Sequence, residues 1–108
     1  MATPEVELVL DAQVETPGPQ APVPGHAHAI SVTRYLVLRI LHGHYEHPFA
    51  LVGHDGADMN SAEFRPGVRK RLDLSLKFPP HATQLNPFTR ESPGLPVYYC
   101  VDSRLTIP

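Results

Sequence analysis

A chain of 108 residues with 42% hydrophobic content is one globular domain, long enough to bury a modest core without disulfides or metals. Its formal charge of −2 excludes nucleic-acid binding by bulk charge, and no apolar run approaches the roughly 18 residues of a membrane-spanning helix. The single cysteine, Cys100, rules out an intrachain disulfide and any cysteine-rich zinc site.

The first residues, "MATPEVELVLDAQVE", carry acids early and lack a basic leader region, so the cytoplasm is the default expectation. A removed export signal is the alternative. Thirteen prolines and seven glycines punctuate the chain, and the stretches between them read at period two. In "EVELVLDAQVE", Val6, Leu8, Leu10, Ala12 and Val14 share one parity. Acids and Gln13 hold most of the other. Alternate side chains of a strand point to opposite faces, so this is one buried face and one wet face. "TPGPQAPVPG", residues 16–25, holds four prolines and reads as an extended loop.

Residues 28–41, "HAISVTRYLVLRIL", form the longest apolar stretch, and its β-branched and aromatic content favours a strand. Ile30, Val32, Leu36, Leu38 and Ile40 share a parity broken by Arg34, where a bulge or bend is expected. Tyr35, Val37 and Leu41 lie on the other, so the long strand is expected to be buried on both sides for part of its length. Phe49–Val52 predicts a short apolar strand after Pro48. "GHDGADMNSAEFRPG" predicts a loop, with a helical turn near 60–64 capped by Asn60 and a type II turn at Pro66-Gly67. "VRKRLDLSLKF" places Val68, Leu72, Leu74, Leu76 and Phe78 on one face. Residues 79–96 read as a long loop. The last strand, 97–107, is expected to bury Val97, Tyr99, Val101, Leu105 and Ile107.

Five strands, little or no helix and one domain over 1–108 define an all-β fold that must curl or stack to bury its apolar faces. The pattern "YLVLRILHGHYEHPFALV … FRPGVRKRLDLSL … VYYCVDSRLTI" resembles the five-stranded OB-fold and netrin-like barrels. That resemblance implies a small OB-like barrel or sandwich. It does not carry protease inhibition across, because the cysteines of the netrin-like inhibitors are missing here. Nor does it carry strand-binding of nucleic acid, because a basic groove is missing.

Chemistry concentrates in the histidines. "HGHYEH" holds His42, His44 and His47, and His54 follows in "VGHDG". His-x-His on a strand is a two-tooth chelate, and a hairpin turn at Gly43 would bring His54 alongside. His42, His44, His47 and His54 are therefore the candidate metal ligands, with imidazole suiting zinc, copper or nickel. Asp55, Asp58 or Glu46 would add an oxygen ligand. The upstream pair His26 and His28 lies too far away to share the ion. A small acid/base enzyme is a further reading, with His54 or His81 as base and Tyr35 or Tyr98 as proton partner. No nucleophile elbow, phosphate loop or paired-carboxylate motif accompanies them.

The leading expectation is a non-catalytic binding or assembly module. It would recruit a protein partner, or a second copy of itself, through exposed strand edges. The first strand is the candidate edge. Neither nucleic acid nor membrane is expected as a partner. The runner-up is a mononuclear metal protein built on the His42–His54 cluster.

Overall fold

The structure is a computed structural model that describes residues 6–17, 29–55, 62–77, 83–85 and 95–106. Its strands are β1 (Leu8–Thr16), β2 (Ala29–His42), β3 (Phe49–Asp55), β4 (Arg69–Ser75), β5 (Thr83–Leu85) and β6 (Val97–Leu105). A 3-10 turn, Ala62–Phe64, lies between β3 and β4. Neighbours run β1-β4-β6-β3-β2, and β2 pairs again with β1. Five strands thus close into a barrel compatible with the small OB-like class. Only β3–β6 and β2–β5 pair in parallel.

Closure follows from the length of β2. Its fourteen residues outreach either neighbour alone. Residues 30–36 pair with β3 on one edge, and residues 34–42 pair with β1 on the other. A long strand shared in this way bends the sheet round on itself. β1 is hydrogen-bonded on both sides, by β2 and β4, so the expectation that it forms a free edge is corrected. Sequence locality hid this, because both partners are non-sequential or bulged.

The barrel interior is filled by Leu8, Leu10, Ala12 and Val14 from β1, Tyr35 from β2, Ala50 and Val52 from β3, and Leu72 and Leu74 from β4. Tyr45 and Tyr98 complete it. β1 buries the parity its alternation predicts. β2 is buried on both faces over residues 30–33, as expected for part of its length. Ser31, Thr33 and Tyr35 face inward, while Val32 joins Leu51, Leu95 and Val97 in a small cluster outside the barrel. β6 differs from expectation. Tyr98 and Cys100 take the inward positions and Val97 and Tyr99 the outward ones. Val101 has no opposite residue, because Leu74 pairs with Cys100 and Asp73 with Asp102. A bulge of one residue flips every side chain beyond it, which is why a single parity could not describe this strand.

Turn chemistry is local and behaves as expected. Gly67 has φ +94°, and the Val68 amide donates to the Arg65 carbonyl at 3.1 Å, as a type II turn at Pro66-Gly67 requires. The irregularity expected at Arg34 falls on the strand opposite. Val14 pairs with Tyr35 and Thr16 with Arg34, leaving Glu15 as the extra residue. Its carboxylate accepts a 2.6 Å bond from Arg34 Nε, and that guanidinium holds the Glu15 carboxyl below its usual range. β5 lies inside the segment expected to be a continuous loop, 79–96. The proline-rich 18–25, His26, His28, Asn60, His81 and the remainder of 79–94 lie outside the described residues. No described helix is long and apolar enough to cross a membrane.

Candidate functional site

Two regions of β2 carry the unusual chemistry, and they lie at its opposite ends. The first is the buried half. The sequence predicts a strand over 49–52 and a loop from Gly53, but β3 runs on through Asp55. Gly53 and His54 pair with Val32 and Ser31, so the alternation that turns Ala50 and Val52 inward also turns His54 inward. The ring is 5% exposed. Its Nε2 lies 2.7 Å from the hydroxyl of Tyr35, itself fully buried. Phe64, brought in by the 3-10 turn, meets the imidazole edge-on at 4.8 Å between centroids. The ammonium of Lys70 sits 3.5 Å above the centre of the same Phe64 ring. Lys70 is 1% exposed.

Burial sets the protonation states. Loss of water pushes His54 down to about 3, and the Lys70 charge pushes the same way. Burial raises the Tyr35 phenol well above its usual range, with the Cys100 thiol and the Glu63 carboxylate acting in the same direction. With imidazole and phenol both neutral, a single hydrogen bond joins them, its direction set by which ring nitrogen carries the proton. A histidine this reluctant to take a proton is a weak base at neutral pH, far from the value that suits acid/base catalysis. The expected pairing of His54 with Tyr35 is present. As arranged it satisfies two buried polar groups and orders the barrel interior. Cys100 is half-buried, its thiol raised to about 12, and its Sγ lies 3.4 Å from the Asp102 carbonyl. An un-ionised thiol of this kind packs and does not attack.

The second region is the far end of β2. Val37 pairs with Ala12, Arg39 with Asp11, Ile40 with Leu10 and His42 with Val9. Leu38 and Leu41 therefore stand opposite no residue of β1; each is the extra residue of a bulge. Both are exposed, at 42% and 40%, and Ile40 is 40% exposed between them. β3 pairs no further than Leu36, and the Val37 amide reaches only the Pro48 carbonyl. Among the described residues, no strand covers the second edge of residues 38–42.

The turn that follows is built tightly. Gly43 has φ +89°, and a Cβ there would stand 2.5 Å from the Glu7 carbonyl. Tyr45 packs inward and donates its hydroxyl to the Phe49 carbonyl at 2.6 Å. His47 lies edge-on against the Tyr45 ring, and Tyr98 meets that ring from the other side. His44 Nε2 lies 3.0 Å from Glu46 Oε1 at the surface.

Of the four histidines singled out by the sequence, His42, His44 and His47 share this exposed turn. His54 does not join them. It pairs with Ser31, eleven residues up β2 from His42, because β3 carries it away from the turn at about 3.3 Å per residue. Among the described residues, no group of three or more His, Cys, Asp or Glu is placed to hold a metal ion. Lys70 and Phe64 were not anticipated. Lys70 had a legible signal, since it shares the parity of Val68, Leu72 and Leu74. Phe64 had none, because its role depends on where the 3-10 turn docks.

Fold and site together place the protein among small closed β-barrels with an apolar interior. No family model matches the chain, and neither a curated protein nor a solved structure does.

Proposed function

We propose that this protein is a non-catalytic binding or assembly module whose contact surface is the end of β2, residues 38–42. The observation that carries this reading is the pair of bulged, exposed leucines on an edge that no described strand covers. Natural edges are normally blunted by lysine, proline, an inward charge or a β-bulge, and of these the segment has the bulges, both on its β1 side. Here the residues at 38, 40 and 41 are Leu, Ile and Leu, and Arg39 alone among them is charged. An exposed strand end of this composition suits strand addition, in which main-chain bonds give affinity and alternate side chains give selectivity.

Amide hydrogen exchange tests the reading. Amides of residues 38–42 that point away from β1 exchange rapidly in the dilute protein and slow down on association, either with a second copy at high concentration or with an added extended peptide. Amides of 38–42 that stay unprotected under both conditions overturn it.

A further inference from the structure

We infer that the occupant of the β2 edge is an extended segment of another protein, alternating apolar and acidic residues, and not a second barrel. This rests on the reading of residues 38–42 as the contact surface. Three observations favour the choice.

The first is size. A stable interface between two folded proteins covers about 800 Å² on each partner. The uncovered apolar surface here is three side chains, each about two-fifths exposed, along five residues of strand. That is enough to receive one added strand and well short of a second domain.

The second is charge. Between Leu38 and His47 the chain presents one guanidinium, Arg39, three imidazoles, and one carboxylate, Glu46, that lies 3.0 Å from His44 Nε2. All are exposed. Two copies paired antiparallel about Ile40 would bring Arg39 diagonal to its own counterpart. Like charges at such positions oppose pairing, whereas carboxylates at alternate positions of a foreign strand would meet Arg39.

The third is the strand already bound to the opposite edge of these same residues. β1 offers Val9, Leu10, Asp11 and Ala12 to residues 37–42, with Asp11 opposite Arg39. An apolar strand with an acid in that register is therefore the chemistry this segment accepts within its own fold.

The experiment uses the full chain with isotope-labelled amides and two short capped peptides. One alternates valine with glutamate; the other has lysine in place of every glutamate. The acidic peptide should shift the amides of Leu38–His42 and bind at least ~10-fold more tightly than the lysine peptide, a difference of about 1.4 kcal/mol. Arg39→Glu should reverse that order, and Arg39→Gln should narrow it, with the remaining amides unmoved. Equal binding of both peptides at 38–42 would overturn the acidic preference and leave the contact surface standing. A native mass that doubles at micromolar concentration, with 38–42 protected, would put a second copy on the edge and overturn the inference alone. A monomer in which neither peptide shifts 38–42 would sink both readings.

Discussion

The two ends of β2 obey opposite rules although they belong to one uninterrupted strand. Over residues 30–35 both faces are covered, and polar side chains are drawn into the dry interior with their partners. Over residues 38–42 apolar side chains are left in water. Hydropathy does not separate the two ends, since Ser31 and Thr33 are buried while Leu38 and Leu41 are exposed. What separates them is pairing. The first end has β3 on one side and β5 on the other. The second has, among the described residues, β1 alone, in a register broken twice. Coverage by neighbouring strands, and not side-chain polarity, decides which residues of this strand are core.

If that distinction is right, substitutions at the two ends should differ sharply in cost. In the interior wall, Leu72→Ala removes a fully buried side chain. It should cost about 2–5 kcal/mol in urea unfolding, as cavity-forming changes do. A cost under 1 kcal/mol would mean the barrel is loosely filled.

The buried end should also register pH. His54 is held neutral with its folded value near 3, whereas an unfolded histidine takes a proton near 6.5. The folded value is depressed, so for this base the stability is complete above pH 6.5 and is lost as pH falls from there towards 3. Between pH 7 and pH 5 the loss should be about 2 kcal/mol, with carboxylates still ionised. His54→Gln, which can still meet the Tyr35 hydroxyl, should flatten that slope. An unchanged slope would remove His54 from the account.

Gly43 marks the transition between the regions. Gly43→Ala forces a side chain into a left-handed backbone and towards the Glu7 carbonyl. A cost of about 1–2 kcal/mol follows from the backbone alone, and the contact adds to it. Thermal unfolding measures it. At the uncovered end, Leu38→Lys and Leu41→Lys should change stability by no more than about 0.5 kcal/mol while weakening peptide binding. A large loss of stability there would show that these leucines pack against the protein itself.

Much of this architecture could be read before any coordinates. β1 and β4 announce themselves by alternation, and Leu8, Leu10, Ala12, Val14, Leu72 and Leu74 are buried as expected. Pro66-Gly67 states its own turn. The five main strands and the all-β class follow from the same patterns. Harder to read were the face of β6 that turns inward and the point along β2 where burial stops. Bulges at Leu38, Leu41 and Val101 shift the parity part-way along each strand, and nothing local in the sequence marks them. The site suffered the same loss. Ending β3 at Val52 leaves His54 beside the imidazole turn, whereas three further residues of pairing bury it against Tyr35. The expectation of a free edge at β1 failed because edges are a property of the assembled sheet.

Alternation of apolar and polar residues, together with proline and glycine at the breaks, was sufficient for the five barrel strands, their approximate limits and the need to close or stack. Those features depend on neighbours along the chain, where side-chain direction and backbone freedom act. The choice of which strand end is covered, the meeting of His54, Tyr35, Phe64 and Lys70, and the exposure of Leu38 and Leu41 depend on residues far apart in sequence. Only the register in which β2 is shared between β1 and β3 settles them, because hydrogen-bonded pairing, once shifted by one residue, sends each side chain to the opposite face.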